Sequence, residues 1–387
     1  MKRIYSIDFT RGLVMIIMAL DHTRDLLHVN SVTQSPSNLL TTTPWLFFTR
    51  WITYLCAPTF VFLAGTSAYL SFKSKADSSA SRQFLLKRGV WLIVLEFTLV
   101  NFALWFDLGF HNFIFEVIAT IGFGFIMLGL LLRIPSRTIG IIGLLIIFLH
   151  GLFALIPFAE NSFFKTILSP LFGLGRFPLT THINFTMAYP PVPWLGIMLA
   201  GFAAGKLFES APGKRKKIFV RIGAGALVLF IVLRFVNMYG DPLPWSIQKN
   251  SLYTFLSFMN ISKYPPSLLF CLITLGIMFL MLAFAETIKP PLINIVSVYG
   301  KTPLFYFLLH FYLIHVIMIA VMLLQGFHWA DLDFAGGIFG RPAAKKSGVT
   351  LWVVYIVWIS VVLVLYKPCL WFGRYKATHQ QFWLKYI

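Results

Sequence analysis

Apolar stretches of about 20 residues recur from one end of this chain to the other, each long enough to cross a hydrocarbon core of about 30 Å as a helix. In lipid every backbone N–H and C=O must be satisfied within the protein, so a series of such runs folds as a bundle of helices. The runs fall near 9–28, 46–72, 89–106, 113–132, 138–158, 190–208, 218–238, 266–285, 302–324 and 349–366. They predict an all-α polytopic transmembrane bundle of about ten spans, read as a single domain over 1–387. Composition agrees, because 58% of residues are hydrophobic and only 12% charged, against roughly 25% charged in soluble domains.

A net charge of +19 raises the question of nucleic acid, but in a membrane protein a basic bias on the cytoplasmic side is the first explanation. Alternate connections carry Lys2, Arg3, Lys73, Lys75, Arg82, Lys87, Arg88, Arg133 and Arg137, then Lys206, the 214–217 KRKK run and Arg221. Lys289, Lys301, Lys367, Arg374, Lys376 and Lys385 follow, and with Arg11 that side holds 22 of the 32 basic residues. The asymmetry predicts both termini in the cytoplasm, no nucleic-acid partner and a lipid bilayer as surroundings. The first run is read as a span and not a removed leader, since Asp21-His22 stands where a small-residue cleavage site would be. Cys56, Cys271 and Cys369 are far apart and offer neither a disulfide framework nor metal spacing.

The outer connections, 29–45, 159–189, 239–265 and 325–348, are the long ones, rich in Pro, Ser, Thr, Asn and aromatic residues. They are either plain loops or the walls of a site. The sharper signal is in MALDHTRDLLH (18–28), which places Asp21, His22, Arg24, Asp25 and His28 at the end of the first span. Ionisable groups within a span are costly and point to function. Asp8, Arg11, Met15 and His22 share one helix face within about 60°, and His22 lies about 21 Å beyond Asp8. Asp8 and Arg11 read as a buried ion pair that fixes the helix. Asp25 stands at i+3 from His22, within reach to orient its imidazole. The plain alternative is that Arg24 pairs with Asp21 or Asp25 where the helix meets water.

Other polar positions are single points: Glu96, Asn101, Glu116, His150, His182 and Arg234. His310 and His315 stand about 140° apart on one helix and so do not jointly hold a metal; no metal site is expected. Neither a nucleotide-binding glycine pattern nor a nucleophile elbow occurs.

RIYSIDFTRGLVMIIMALDHTRDLLH (3–28), APTFVFLAGTSAYL (57–70), YPPVPWLGIMLAGFAAGKL (189–207), YPPSLLFCLITLG (264–276) and YGKTPLFYFLLHFYLIH (299–315) carry a resemblance. Together they resemble a bacterial family of membrane proteins related to heparan-α-glucosaminide N-acetyltransferase. The resemblance implies a transmembrane acyltransferase of the bacterial inner membrane. It would move an acetyl group from cytosolic acetyl-CoA, its co-substrate, to a sugar amine or hydroxyl on the other face. In the lysosomal relative the active histidine follows the first span's shared start, and here His22 and His28 compete for that role. The Asp-His pairing and Asp25 favour His22, with Asp21 beside it. The long luminal segment expected ahead of the first span is not seen, so a cell-envelope or scavenged sugar is the expected acceptor in place of heparan. A homodimer is compatible with the sequence.

A thioester already has a good leaving group, so the reaction chiefly needs a base for the acceptor's proton. A His of unperturbed pKa about 6.5 suits that near neutrality, and it could instead carry the acetyl group itself. Asn101 or a loop N–H is a candidate oxyanion donor. Arg24 is a further binding candidate. Arg82, Lys87, Arg88 and the KRKK run are candidates for the CoA phosphates, although the cytoplasmic bias explains them equally well. From the residues alone, a sugar transporter with this polar helix end in its pathway is the alternative.

Overall fold

The computed structural model describes residues 4–74, 77–157, 162–342 and 346–386. Lys2, Arg3 and Lys75, counted above, lie outside the described residues. In chain order the elements are α1 (Tyr5–Leu27), α2 (Pro44–Thr53), α3 (Cys56–Ser74), α4 (Ser78–Leu95) and α5 (Asn101–Trp105). Then come β1 (Asn112–Phe115), α6 (Val117–Leu131), α7 (Ser136–Leu149), α8 (Phe163–Phe172), β2 (Gly175–Pro178) and β3 (Asn184–Met187). The remainder is α9 (Pro191–Ala204), α10 (Pro212–Val236), α11 (Ser251–Met259), α12 (Leu268–Ala285), α13 (Pro290–Lys301), α14 (Pro303–Leu324) and α15 (Leu351–Thr378).

The chain is an all-α polytopic bundle. Among the described residues eight helical stretches are long and apolar enough to cross a membrane, counting α2 with α3 and α4 with α5 as one each. The two other runs read from sequence are α1, whose 23 residues carry five charges, and α6, only 15 residues long. The long run at 46–72 is interrupted where α2 ends and α3 begins, at Tyr54 and Leu55. α2 packs against α1.

α1 runs through the middle, packed against α13, α14, α15, α3 and α12. Its closest approach is to α13, and glycine makes it possible. A Cβ on Gly12 would collide with the Val296 carbonyl, and one on Gly300 with the Asp8 carbonyl, so two backbones meet as small residues allow between membrane helices. Arg215 forms a buried fork–fork pair with Glu286, its Nε and Nη2 lying 2.9 and 2.7 Å from the carboxylate oxygens, and ties α10 to α12.

Between α4 and α5 the helix passes through a π turn, Glu96–Val100. Glu96 is fully buried, and its Oε2 accepts the Ala119 N–H at 2.7 Å. A carboxyl there satisfies a donor at the N-terminus of α6 that no helical carbonyl can reach. An unexpected three-stranded sheet, ordered β1-β3-β2, follows. β1 and β3 run parallel with Phe115 opposite Met187, and the Phe115 carbonyl accepts the Ala188 and Tyr189 N–H groups. This pairing brings Glu116 and Tyr189, far apart in sequence, side by side.

Candidate active site

Asp21 is held by three side chains. Arg50 Nη1, from α2, donates to its two oxygens at 2.9 and 2.8 Å. Thr53 Oγ1 donates to Oδ1 at 2.8 Å, and Arg24 Nη2 lies 2.6 Å from the same oxygen. Arg24 Nη2 also donates to Asp25 Oδ1 at 2.6 Å. Arg24, Arg50, Asp21 and Asp25 thus form a charge-balanced network, with Arg24 only 1% exposed. Its guanidinium is enclosed between the two carboxylates of its own helix.

That network changes the part foreseen for Asp25. The i, i+3 spacing puts it within reach of His22, but its Oδ1 is taken by the neighbouring guanidinium. The second oxygen of Asp25 has acceptor capacity left. Among the described residues no hydrogen bond joins Asp25 to His22. The His22 ring instead meets α14, with centroid separations of 4.1 Å to Phe311, 5.1 Å to His310 and 6.3 Å to Phe307.

His22, Asp21 and Asp25 line a cavity of about 120 Å³ together with Arg50 and Thr53. Its opposite wall is Glu116, Tyr189, Lys263 and Tyr264. The Lys263 ammonium lies 4.9 Å from the centre of the Tyr264 ring and 5.8 Å from that of Tyr189. Arg234 braces this wall by donating to the carbonyls of Leu243, Ser257, Phe258 and Asn260 at 2.8–2.9 Å. Four donated bonds satisfy a buried cation without any carboxylate.

A second cavity, about 320 Å³, lies toward the opposite end of α1 and contains Arg11, Ser67, Ser71 and Arg88. The two cavities share the apolar lining residues Met18, Phe60, Val117 and Phe307. Arg11 Nη2 donates to Ser67 Oγ at 2.9 Å. Arg88 lies over the rings of Phe84 and Phe125, 5.8 and 5.6 Å from their centres.

The remaining candidates are placed elsewhere. Asn101 donates its amide N–H to the Asn112 carbonyl at 3.0 Å, bracing β1 and not lining the cavity. His28 caps α1, and its carbonyl accepts from Arg341 Nη1 at 2.8 Å. Burial, with the Arg24 and Arg341 cations nearby, holds the His28 imidazole below its ordinary range. It faces the loop after α14 and is absent from the cavity wall. Lys87 is exposed, and neither it nor Arg82 lines the Arg88 cavity. Arg215 of the KRKK run is committed to Glu286. Among the described residues no group of three or more His, Cys, Asp and Glu stands ready for a metal.

Sequence reasoning gave no site role to Arg50, Lys263, Tyr189 or Tyr264, although Tyr189 and Tyr264 open two of the blocks that carry the resemblance. Arg50 carried a usable signal, a lone cation in the apolar PWLFFTRWIT on the less basic side. Lys263 and Tyr264 lie in a proline-rich loop where no periodicity speaks.

A comparison with curated proteins gave no match. The model of the heparan-alpha-glucosaminide N-acetyltransferase catalytic family matches residues 3–236, more than half of the 387. That span covers α1, the Asp21 network, the sheet and the wall residues Glu116 and Tyr189. This chain, a membrane helix bundle with a polar cavity at the end of its first helix, therefore belongs to the heparan-alpha-glucosaminide N-acetyltransferase family.

Proposed function

We propose that the protein transfers the acetyl group of acetyl-CoA to the amine or hydroxyl of a sugar, with His22 as the general base. The observation that carries this reading is the pair of cavities meeting at Met18, Phe60, Val117 and Phe307, His22 in one and Arg11 with Arg88 in the other. In this reading the CoA phosphates approach from the cytoplasm and are held by Arg88 and Arg11, Arg11 steadied by Ser67 and Asp8. The pantetheine arm passes the apolar constriction and delivers the thioester to His22. The acceptor sugar enters from the other face and stacks on Tyr189 and Tyr264. No metal takes part.

The acceptor nitrogen or oxygen attacks the thioester carbonyl carbon while His22 takes its proton. The tetrahedral oxyanion forms in the field of the Lys263 ammonium. Collapse breaks the C–S bond, the acetyl group stays on the acceptor, and CoA leaves as thiolate to be reprotonated from His22. Asp21 and Asp25 hold Arg24 and Arg50 and keep the wall neutral, so that His22 works as a neutral base.

The test is purified protein in nanodiscs, given acetyl-CoA and a panel of amino sugars, with free CoA thiol measured. Turnover is expected, and His22→Ala should lower it by about 10²–10⁴, the usual value of general-base help, while acetyl-CoA still binds. No binding of acetyl-CoA and no thiol release with any sugar would refute the reading. Labelled sugar accumulating unmodified in proteoliposomes would replace it with transport.

A further inference from the structure

We infer that His310, on α14, is the positioning residue for His22, the part that Asp25 does not play; this rests on His22 being the base proposed above. His310 is completely buried. Its Nδ1 lies 3.0 Å from the Tyr306 carbonyl oxygen. A carbonyl only accepts, so Nδ1 carries the proton and Nε2 a lone pair. Its ring stacks on Tyr306 at 5.3 Å and 8°, which fixes its plane. Nε2 has no partner among the described residues. A buried acceptor left unpaired is rare and costly.

The His22 ring lies 5.1 Å away centre to centre, tilted by 45°, and among the described residues it is the one ring in contact with His310 that can offer an N–H. A small turn of His22 brings one ring nitrogen onto His310 Nε2. His22 then presents its other nitrogen, with the lone pair, to the cavity where the acceptor's proton arrives. When His22 takes that proton, the N–H donated to His310 belongs to an imidazolium and the bond strengthens. His310 thus orients the base as a carboxylate does in a catalytic triad, but adds no charge inside the membrane, where a carboxylate would have to be neutralised.

The experiment is carbethoxylation of His22 by diethyl pyrocarbonate at one fixed neutral pH, read by peptide mass spectrometry on the full chain in nanodiscs. In His310→Phe the ring and its stacking survive without the acceptor, and His22 modification should slow by about 5- to 10-fold, what one neutral hydrogen bond is worth. His310→Gln, whose amide oxygen can reach the Nε2 position, should recover most of that rate. Turnover should fall by the same factor with the KM for acetyl-CoA unchanged, a split that a general loosening of the bundle would not produce. Equal modification rates in wild type and folded His310→Phe would overturn the inference. If His310→Phe fails to fold, ¹⁵N spectra of wild-type histidine decide. One His22 tautomer supports the hydrogen bond, and a mixture of both refutes it. Activity lost in His22→Ala but intact in His310→Phe removes this inference and leaves the proposed function. Absence of any turnover removes that function, while modification rate and tautomer still judge His310.

Discussion

Replacing Asp21 by Asn tests whether the charge network holds α2 onto α1. The change keeps the size of the side chain and leaves Thr53 an acceptor, but it removes the charge that Arg50 faces through two contacts of 2.9 and 2.8 Å. Arg24 is not stranded, because Asp25 remains 2.6 Å away. Arg50 is. Its side chain is 17% exposed, the Tyr54 ring lies 5.3 Å away, and Asp25, in the same cavity wall, has its recorded bond to Arg24. Breaking a buried pair by removing one partner costs about 3–5 kcal/mol. The opening of Arg50 to the cavity argues for the lower end, about 3 kcal/mol. Asp25→Asn should be far milder, about 1 kcal/mol, because its side chain is 34% exposed and Arg24 keeps Asp21. The double variant Asp21→Asn/Arg50→Met should return most of the loss, since no charge is then left alone. Unfolding in mixed micelles by increasing SDS, followed by tryptophan fluorescence, ranks the four proteins. Asp21→Asn no less stable than Asp25→Asn, or a double variant as weak as the single, would refute the reasoning.

Arg88→Gln should raise the KM for acetyl-CoA by about 10-fold, the value of one charge-assisted hydrogen bond, and leave kcat at saturation nearly unchanged in a steady-state thiol-release assay. His28, whose imidazole burial holds below its ordinary range, adds stability above pH about 6.5. That share is lost as pH falls and the unfolded chain takes up the proton first. Thermal unfolding at pH 7.5 and 5.5 should therefore show a smaller acid-induced loss in His28→Asn than in the wild type. With the three buried cysteines replaced, a single cysteine at exposed Ser35 should react with an impermeant thiol reagent on intact cells, and one at Lys216 should be shielded. The reverse pattern would invert the proposed direction of acetyl transfer.

The bundle was legible in the sequence because a membrane span is a local property: about 20 apolar residues suffice, whatever surrounds them. The stripe of charge at the end of α1 was legible for the same reason, since side chains at i, i+3 and i+4 meet on any helix. The Asp21–Arg24 pair follows from that spacing; the bond from Arg24 to Asp25, one residue on, does not. Periodicity stops at the edge of its own element, however. It could not say that α2 packs against α1 to bring Arg50 onto Asp21, or that two four-residue strands would set Glu116 beside Tyr189. Nor could it rank the competitors for a side chain within reach of several. Asp25 stands at i+3 from His22 as the sequence promised, yet its recorded hydrogen bond goes to the guanidinium one residue away. The neighbour that His22 does meet, His310, lies on α14, chosen by how that helix packs against α1. Local chemistry determined which groups stand on α1; the packing of the other helices decided what each of them faces.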